Sequence, residues 1–240
     1  MAMDQFVNQV AKSRYMFGGQ ASLPVVFRSA MFYGLSTAAH HSDRPYPMFM
    51  NVPGLKIMIP STPSDAKGLL RTAIDMDDPV MSFEACMLWG MKEDVQDGPF
   101  HIPFGVAKTV RSGSDVTIVA ISSAVPAALQ AAQKLEAEGI SAEIIDPRTL
   151  VPFDADAVLN SVARTGRLVV ADPANRTCGA AAEISALVAE KAFDSLKAPI
   201  IRVTTPDTHI PFSPALEKQL YPNAGTIADA VRKVTGTRKA

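Results

Sequence analysis

Four short runs in the second half of the chain, residues 116–121, 142–145, 168–171 and 200–203, are almost wholly apolar, interrupted by Thr117, Glu143 and Arg202 alone. Stretches with helical spacing follow at 124–138, 154–164, 180–196 and 226–234, and Gly139 and Gly166 stand where the first two should stop. A strand that alternates apolar and polar residues can face water on one side, but a continuously apolar strand cannot. Such strands, separated by helices, predict a mostly parallel sheet covered on both faces, and therefore an α/β fold. No internal repeat or low-complexity tract interrupts the pattern.

The first half is less regular. Residues 3–16 read as a helix with Phe6, Val7, Val10 and Met16 on one face and a stop at Gly18-Gly19. Residues 23–27 read as a short buried strand, 28–53 as a proline-interrupted loop or broken helix, and 55–59 as the next strand. Ser61-Thr62-Pro63-Ser64-Asp65 opens a helix with Leu69, Leu70 and Ile74 facing inward, and 79–83 is a third strand. Strand, helix, strand implies a right-handed parallel crossover. Glycines and prolines gather between residues 90 and 114, which places a domain boundary there.

Composition narrows the function. The 240 residues are enough for one large or two ordinary domains, and 23 basic against 24 acidic residues leave a net charge of -1 without long runs of one sign. Nucleic acid and acidic membrane surfaces are not expected partners. Cys86 and Cys178 are far apart and form no CxxC pair, which fits a reducing compartment. With no basic leader followed by an apolar stretch and no apolar run of spanning length, the expected location is cytoplasmic.

Chemistry centres on His40-His41-Ser42-Asp43, which precedes the turn Pro53-Gly54 and the strand Leu55-Lys56-Ile57-Met58-Ile59. Titratable groups on a loop held by a buried strand can form an active site. Against this stands the surface-residue reading of a loop histidine. Adjacent residues also face different ways, so at most one of the pair serves a given pocket.

Several runs together resemble the beta subunits of thiamine-diphosphate-dependent 2-oxo acid dehydrogenase E1 components, a transketolase-like family. Asp4 to Lys12 with Arg14-Tyr15-Met16 and Gly18-Gly19-Gln20 is similar to that family's "DQIVNQAAK.RYM.GGQ". Val25-Val26-Phe27-Arg28 is similar to "PIVFR", Asp65 to Leu70 to "DAKGLL", and Pro53 to Ile59 to "PGLKVV". The likeness continues through Arg148-Thr149-Leu150 and Pro206-Asp207-Thr208. It implies a partial pyrimidine-binding domain over residues 1–95, a linker at 96–112 and a transketolase C-terminal domain at 113–240. It places His41 on the family's catalytic histidine and His40 where glutamine is usual. It further implies thiamine diphosphate with Mg2+, held mainly by an E1 alpha-type partner in a heterotetramer, and a lipoyl E2 component as acyl acceptor. In some members a K+ ion sits on backbone carbonyls, here those of Val25, Ala73, Ile74, Met76 and Asp78. The alternative for Asp75, Asp77 and Asp78 is an ordinary solvated helix end.

The departures are specific. The family's activating glutamate lies upstream of the first helix, and only three residues precede Asp4; Glu84 and Glu93 stand in the wrong part of the pattern. Gln96-Asp97-Gly98-Pro99 does not fit a diphosphate motif. The expectation is a chain without the first part of its pyrimidine domain, with the apolar faces of 23–27 and 55–59 incompletely covered, hence self-association. Met31-Phe32-Tyr33 replaces a glycine-rich loop, and Asn51 stands where many members have a second histidine. Met48 and Met50 read either as a partner contact or as core. Asp172 to Arg176, leading into Cys178-Gly179-Ala180, reads as a subunit contact or as plain strand-to-helix turning. Decarboxylation of a 2-oxo acid with acyl transfer to lipoyl is the leading reading. Acetoin cleavage and a non-catalytic assembly role are the alternatives.

Overall fold

The computed structural model describes residues 2–236, arranged as two sheets that share a core. The first sheet has the order β1 (Val26–Met31), β3 (Val80–Ala85), β2 (Lys56–Met58), β7 (Thr149–Val151). Strands β1, β3 and β2 are parallel, and β7 runs antiparallel to β2. The second sheet has the order β4 (Lys108–Arg111), β6 (Ala142–Asp146), β5 (Val116–Ala120), β8 (Leu168–Asn175), β9 (Ile201–Thr205), parallel apart from β4.

Helices α5 (Ala124–Glu136), α6 (Ala155–Thr165), α7 (Ala180–Lys191) and α8 (Ala224–Thr235) cover the second sheet. Every residue of β5 and β6 is buried, the polar Thr117, Glu143 and Asp146 included. Asp154 caps α6 by accepting from Ala157 N at 3.0 Å, and Gly166 ends it at φ 73°. In the first half α4 (Pro63–Ile74) joins β2 to β3 in the expected crossover, with Thr62 as its cap at 3.1 Å from Asp65 N.

Several expectations needed correction. The first strand begins at Val26 and runs to Met31 rather than covering 23–27. The opening helix winds as a π-helix over Gln5–Val10 before α1 (Ala11–Met16); this wider turn rotates Met16 away from Phe6, Val7 and Val10, and Met16 is exposed. On α4 the buried face is Asp65, Leu69 and Ala73 at four-residue spacing; Ile74 lies next round the turn and is exposed. Leu55, Ile57, Met58 and Ile59 are all buried, so the 55–59 strand has no uncovered apolar face. Strands β4 and β7 have no mark in the local sequence, β4 because it lies inside the glycine- and proline-rich stretch and β7 because three residues carry no readable period.

Strand β7 ties the two halves together. Ile59 N donates to Arg148 O at 2.9 Å beside the β2–β7 pairing. Beneath it lies a buried polar network. Asp65 and Asp146 are fully buried and flank Ser61, whose hydroxyl donates to Asp146 and lies 3.3 Å from Asp65 Oδ2. Thr62 Oγ1 lies 2.9 Å from the same Asp65 oxygen, Arg148 N donates to Asp146 at 2.9 Å, and Arg148 Nε stands 2.8 Å from Asp65 Oδ1 as an ion pair.

The Arg148 guanidinium thus pairs with Asp65, and its charge also favours the nearby Asp146 carboxylate. Burial pushes Asp146 up to about 7, with Asp65 adding to the rise. Burial also raises Asp172. The carboxylates held low, Asp75, Glu84, Glu93 and Asp207, are ionised in both folded and unfolded chain above pH 5. Between the ordinary carboxylate range and pH 7 the folded chain thus binds more protons than the unfolded one. Stability contributed by these groups falls as pH rises through that window, by at most about 1.4 kcal/mol per pH unit for each full proton. Urea unfolding at pH 5.5 and 7.5 is expected to show the native chain losing stability, with a smaller loss in Asp146→Asn. An equal loss in both would assign the slope elsewhere.

Candidate functional site

The candidate site is the loop that leaves the C-terminal end of β1. It carries a short helix α2 (Ala38–His41), then α3 (Tyr46–Met50), and returns to β2 through Pro53-Gly54. Gly54 has φ 97°, and a Cβ there would lie 2.0 Å from Ala11 O, so only glycine permits this turn against the opening helix.

His40 and His41 close α2 and are both exposed, and neither imidazole takes a hydrogen bond among the described residues. Their neighbours are the reverse. Tyr33, Ser42 and Tyr46 are fully buried, and Arg44 is buried as well. Tyr33 Oη is 2.6 Å from Ser123 Oγ, in the turn between β5 and α5. Gly34 N and Ser36 N each donate at 2.7 Å to a different oxygen of the Glu217 carboxylate. Thr37 Oγ1 and Ser42 Oγ, 2.9 Å apart, bracket α2. The histidines thus ride on a segment held at both ends.

Arg44 is the deepest charge in the loop. Its guanidinium donates to Pro173 O at 2.9 Å, to Asn175 Oδ1 at 2.8 Å and to Ser42 O. It also lies 5.7 Å from the ring centre of Tyr33 and 5.6 Å from that of Tyr221. These contacts replace water around a cation that would otherwise be costly to bury. The Tyr46 hydroxyl donates to Asp172, which also accepts from Ala174 N and Ala181 N at 2.9 Å each. Burial lifts the Tyr33 phenol to about 12 and raises Tyr46 and Tyr221, so all three remain neutral.

Two residues in this segment carry strain. Ser36 and Ala38 have φ of 57° and 58°, the left-handed region that side chains avoid. Each costs about 1 kcal/mol or more and persists only where surrounding contacts over-determine it.

The other expected site residues lie elsewhere. Val25 precedes β1, Ala73 and Ile74 end α4, and Met76 and Asp78 lie in the turn before β3. Val25 O accepts from Val80 N at 2.9 Å, and the Asp78 carboxylate pairs with Arg14 at 2.9 Å and Lys56 at 3.8 Å. Glu84 is held by Arg28 through two bonds of 2.7 Å, and Glu93 accepts from Ser64 N at 2.6 Å. Both carboxylates are engaged away from the histidines. Asn51 and Met50 line an apolar groove of about 760 Å³ with Leu150, Phe153 and Cys178, while Met48 is exposed and Phe49 buried. Asp172 turns inward, whereas Arg176 to Cys178 are exposed. Among the described residues no three His, Cys, Asp or Glu side chains are grouped to hold a metal ion, and no helix is long and apolar enough to cross a membrane.

Residues 2–86 match the transketolase pyrimidine binding domain, and residues 105–227 the transketolase C-terminal domain. Over 97% of its length the chain is 51% identical to the beta subunit of acetoin:2,6-dichlorophenolindophenol oxidoreductase from Cupriavidus necator, spanning 69% of that protein. The chain belongs to the beta subunits of the transketolase-like dehydrogenases. The Bacillus subtilis protein of the same name is 46% identical over 97% of the chain, which spans 68% of it. The pyruvate dehydrogenase E1 component subunit beta of Rickettsia felis is 42% identical over 97% of the chain, which spans 72% of it. Among solved structures, a split gene transketolase described as an inactive beta4 tetramer superposes with a TM-score of 0.80 at 22% identity, covering 99% of this chain and 72% of that one. At that identity the superposition speaks for the fold.

Within this family of beta subunits, the parts of the site not anticipated are Arg44, Tyr46 and Glu217. Tyr33 was visible as a bulky residue in the wrong company, but its buried seat was not. No local pattern marks a residue whose partners are more than a hundred positions away.

Proposed function

We propose that this chain supplies the histidine-bearing half of a two-chain dehydrogenase site, with His41 as the imidazole that gives or takes a proton at the reacting carbons. The observation that carries the reading is an exposed imidazole on a strained, doubly anchored loop, in a chain so close to dehydrogenase beta subunits. The proposed reaction is decarboxylation of a 2-oxo acid with acyl transfer to a lipoyl group on an E2 component. Acetoin cleavage is the second reading, favoured by 51% identity to an acetoin enzyme against 42% to a pyruvate one.

The cofactor of this reading is thiamine diphosphate. Its diphosphate end with Mg2+ does not fit a site within this chain, whose described residues group no metal-ligating side chains. An alpha-type partner has to bring those ligands. A K+ ion on the carbonyls of Val25, Ala73, Ile74, Met76 and Asp78 belongs to the same reading. So do self-association, a pyrimidine-type part at 1–95, a linker at 96–112, a C-terminal part at 113–240, and a cytoplasmic setting that suits the free thiols of Cys86 and Cys178.

The test is reconstitution. The purified chain with thiamine diphosphate and Mg2+ is expected to turn over neither pyruvate nor acetoin. Addition of an alpha-type subunit should produce turnover, and the ratio of the two substrates decides between the readings. Turnover by the chain alone would overturn the two-chain site.

A further inference from the structure

In the second sheet the connection from β5 leads to β6 on one side, while β8 lies on the other. The crevice at the C-terminal ends of β5 and β8 is therefore the switch point at which open α/β sheets usually receive a ligand. Here it receives the histidine loop. Tyr33 reaches Ser123 in the turn that follows β5, Arg44 reaches Pro173 and Asn175 in β8, and Tyr46 reaches Asp172 in the same strand.

We propose that Arg44 is a positioning residue, which with Glu217 locks the loop into this crevice and so sets where His41 stands. This rests on the reading of His41 as the reacting imidazole, but the lock itself is a property of the chain. The argument is geometric. Glu217 holds the amides of Gly34 and Ser36, on the near side of the histidines. Arg44 holds Ser42 O and two groups of β8, on the far side. Tyr221 joins the two anchors, donating to Glu217 at 2.9 Å while its ring lies under the Arg44 guanidinium.

Between the anchors, Ser36 and Ala38 keep left-handed backbone angles that a free loop would abandon. The segment that carries His40 and His41 is thus seated under strain, and loss of the anchors would let it relax. A general acid or base must stand within hydrogen-bond reach of its proton, so release would cost turnover without removing the imidazole.

The experiment follows hydrogen exchange over residues 34–44 in the full chain, together with the imidazole NMR signals of His40 and His41. Arg44→Met keeps the stem and removes the donors and the charge. It is expected to speed exchange in that segment roughly tenfold or more relative to the amides of β5 and β8. It should also merge the imidazole signals toward those of mobile histidines. Arg44→Lys, which keeps the charge, should restore part of the protection, and Glu217→Gln should loosen Ser36 first. In the reconstituted complex Arg44→Met should lower kcat more than it changes KM, and should add nothing to His41→Ala. Exchange that rises equally throughout the chain, or nowhere, overturns the lock. If exchange changes as expected while His41→Ala is silent in the complex, the lock stands and the catalytic reading of His41 falls.

Discussion

Replacing His41 with alanine in the reconstituted complex is expected to lower turnover by a factor of about 100 to 10,000, the usual contribution of a positioned acid or base. Assembly and stability should be unchanged, because the side chain is exposed and takes no hydrogen bond among the described residues. His40→Ala is the control. It removes the same group from the same short helix, yet the neighbouring position points another way. It should cost far less. Steady-state turnover of pyruvate and of acetoin, with subunit association followed by sedimentation, checks both halves of the expectation. Equal and small effects would reduce the pair to surface histidines. A large effect from His40 alone would move the catalytic position by one residue.

The second large effect concerns the junction between the sheets. Arg148→Met should cost about 3 to 5 kcal/mol at pH 8, because it leaves Asp65 and Asp146 buried without their cation. The loss should shrink toward pH 5, where the raised Asp146 carboxyl is protonated and only Asp65 is left to compensate. Replacing all three together, by Asp65→Asn, Asp146→Asn and Arg148→Met, should cost much less than the single change at pH 8. Removing the whole charged set leaves no uncompensated ion behind. Denaturant unfolding of the native chain, the single variant and the triple variant at the two pH values tests this directly. A triple variant as unstable as Arg148→Met would show that the loss comes from packing around the β6–β7 bend rather than from charge.

The same network shows where reading the chain ends. Asp65 was visible as the residue after a helix-opening Ser61-Thr62-Pro63-Ser64, and Arg148 as part of a run shared with a family. Nothing in either neighbourhood says that they meet, because β7 brings them together from opposite halves of the chain and is too short to announce itself. The histidine loop behaves alike. His40 and His41 were identifiable from their order before Pro53-Gly54 and from resemblance. Their anchors, Arg44 to β8 and Gly34 and Ser36 to Glu217, are tertiary contacts with groups far along the chain.

By itself the sequence determined the α/β class, the parallel second sheet and the helix ends at Gly139 and Gly166. These follow from local rules: a mostly apolar run without strict alternation must be buried on both faces, and a left-handed helix stop favours glycine. The tertiary structure alone decided that β7 crosses to the first sheet, that Asp65 and Asp146 share one cation, and that the crevice above β5 and β8 is filled by the chain's own tyrosines and arginine. The physical reason is common to all three. Burial removes water from polar groups wherever the chain closes on itself, and the partners that replace that water are chosen by the fold, at distances in sequence that no local pattern encodes.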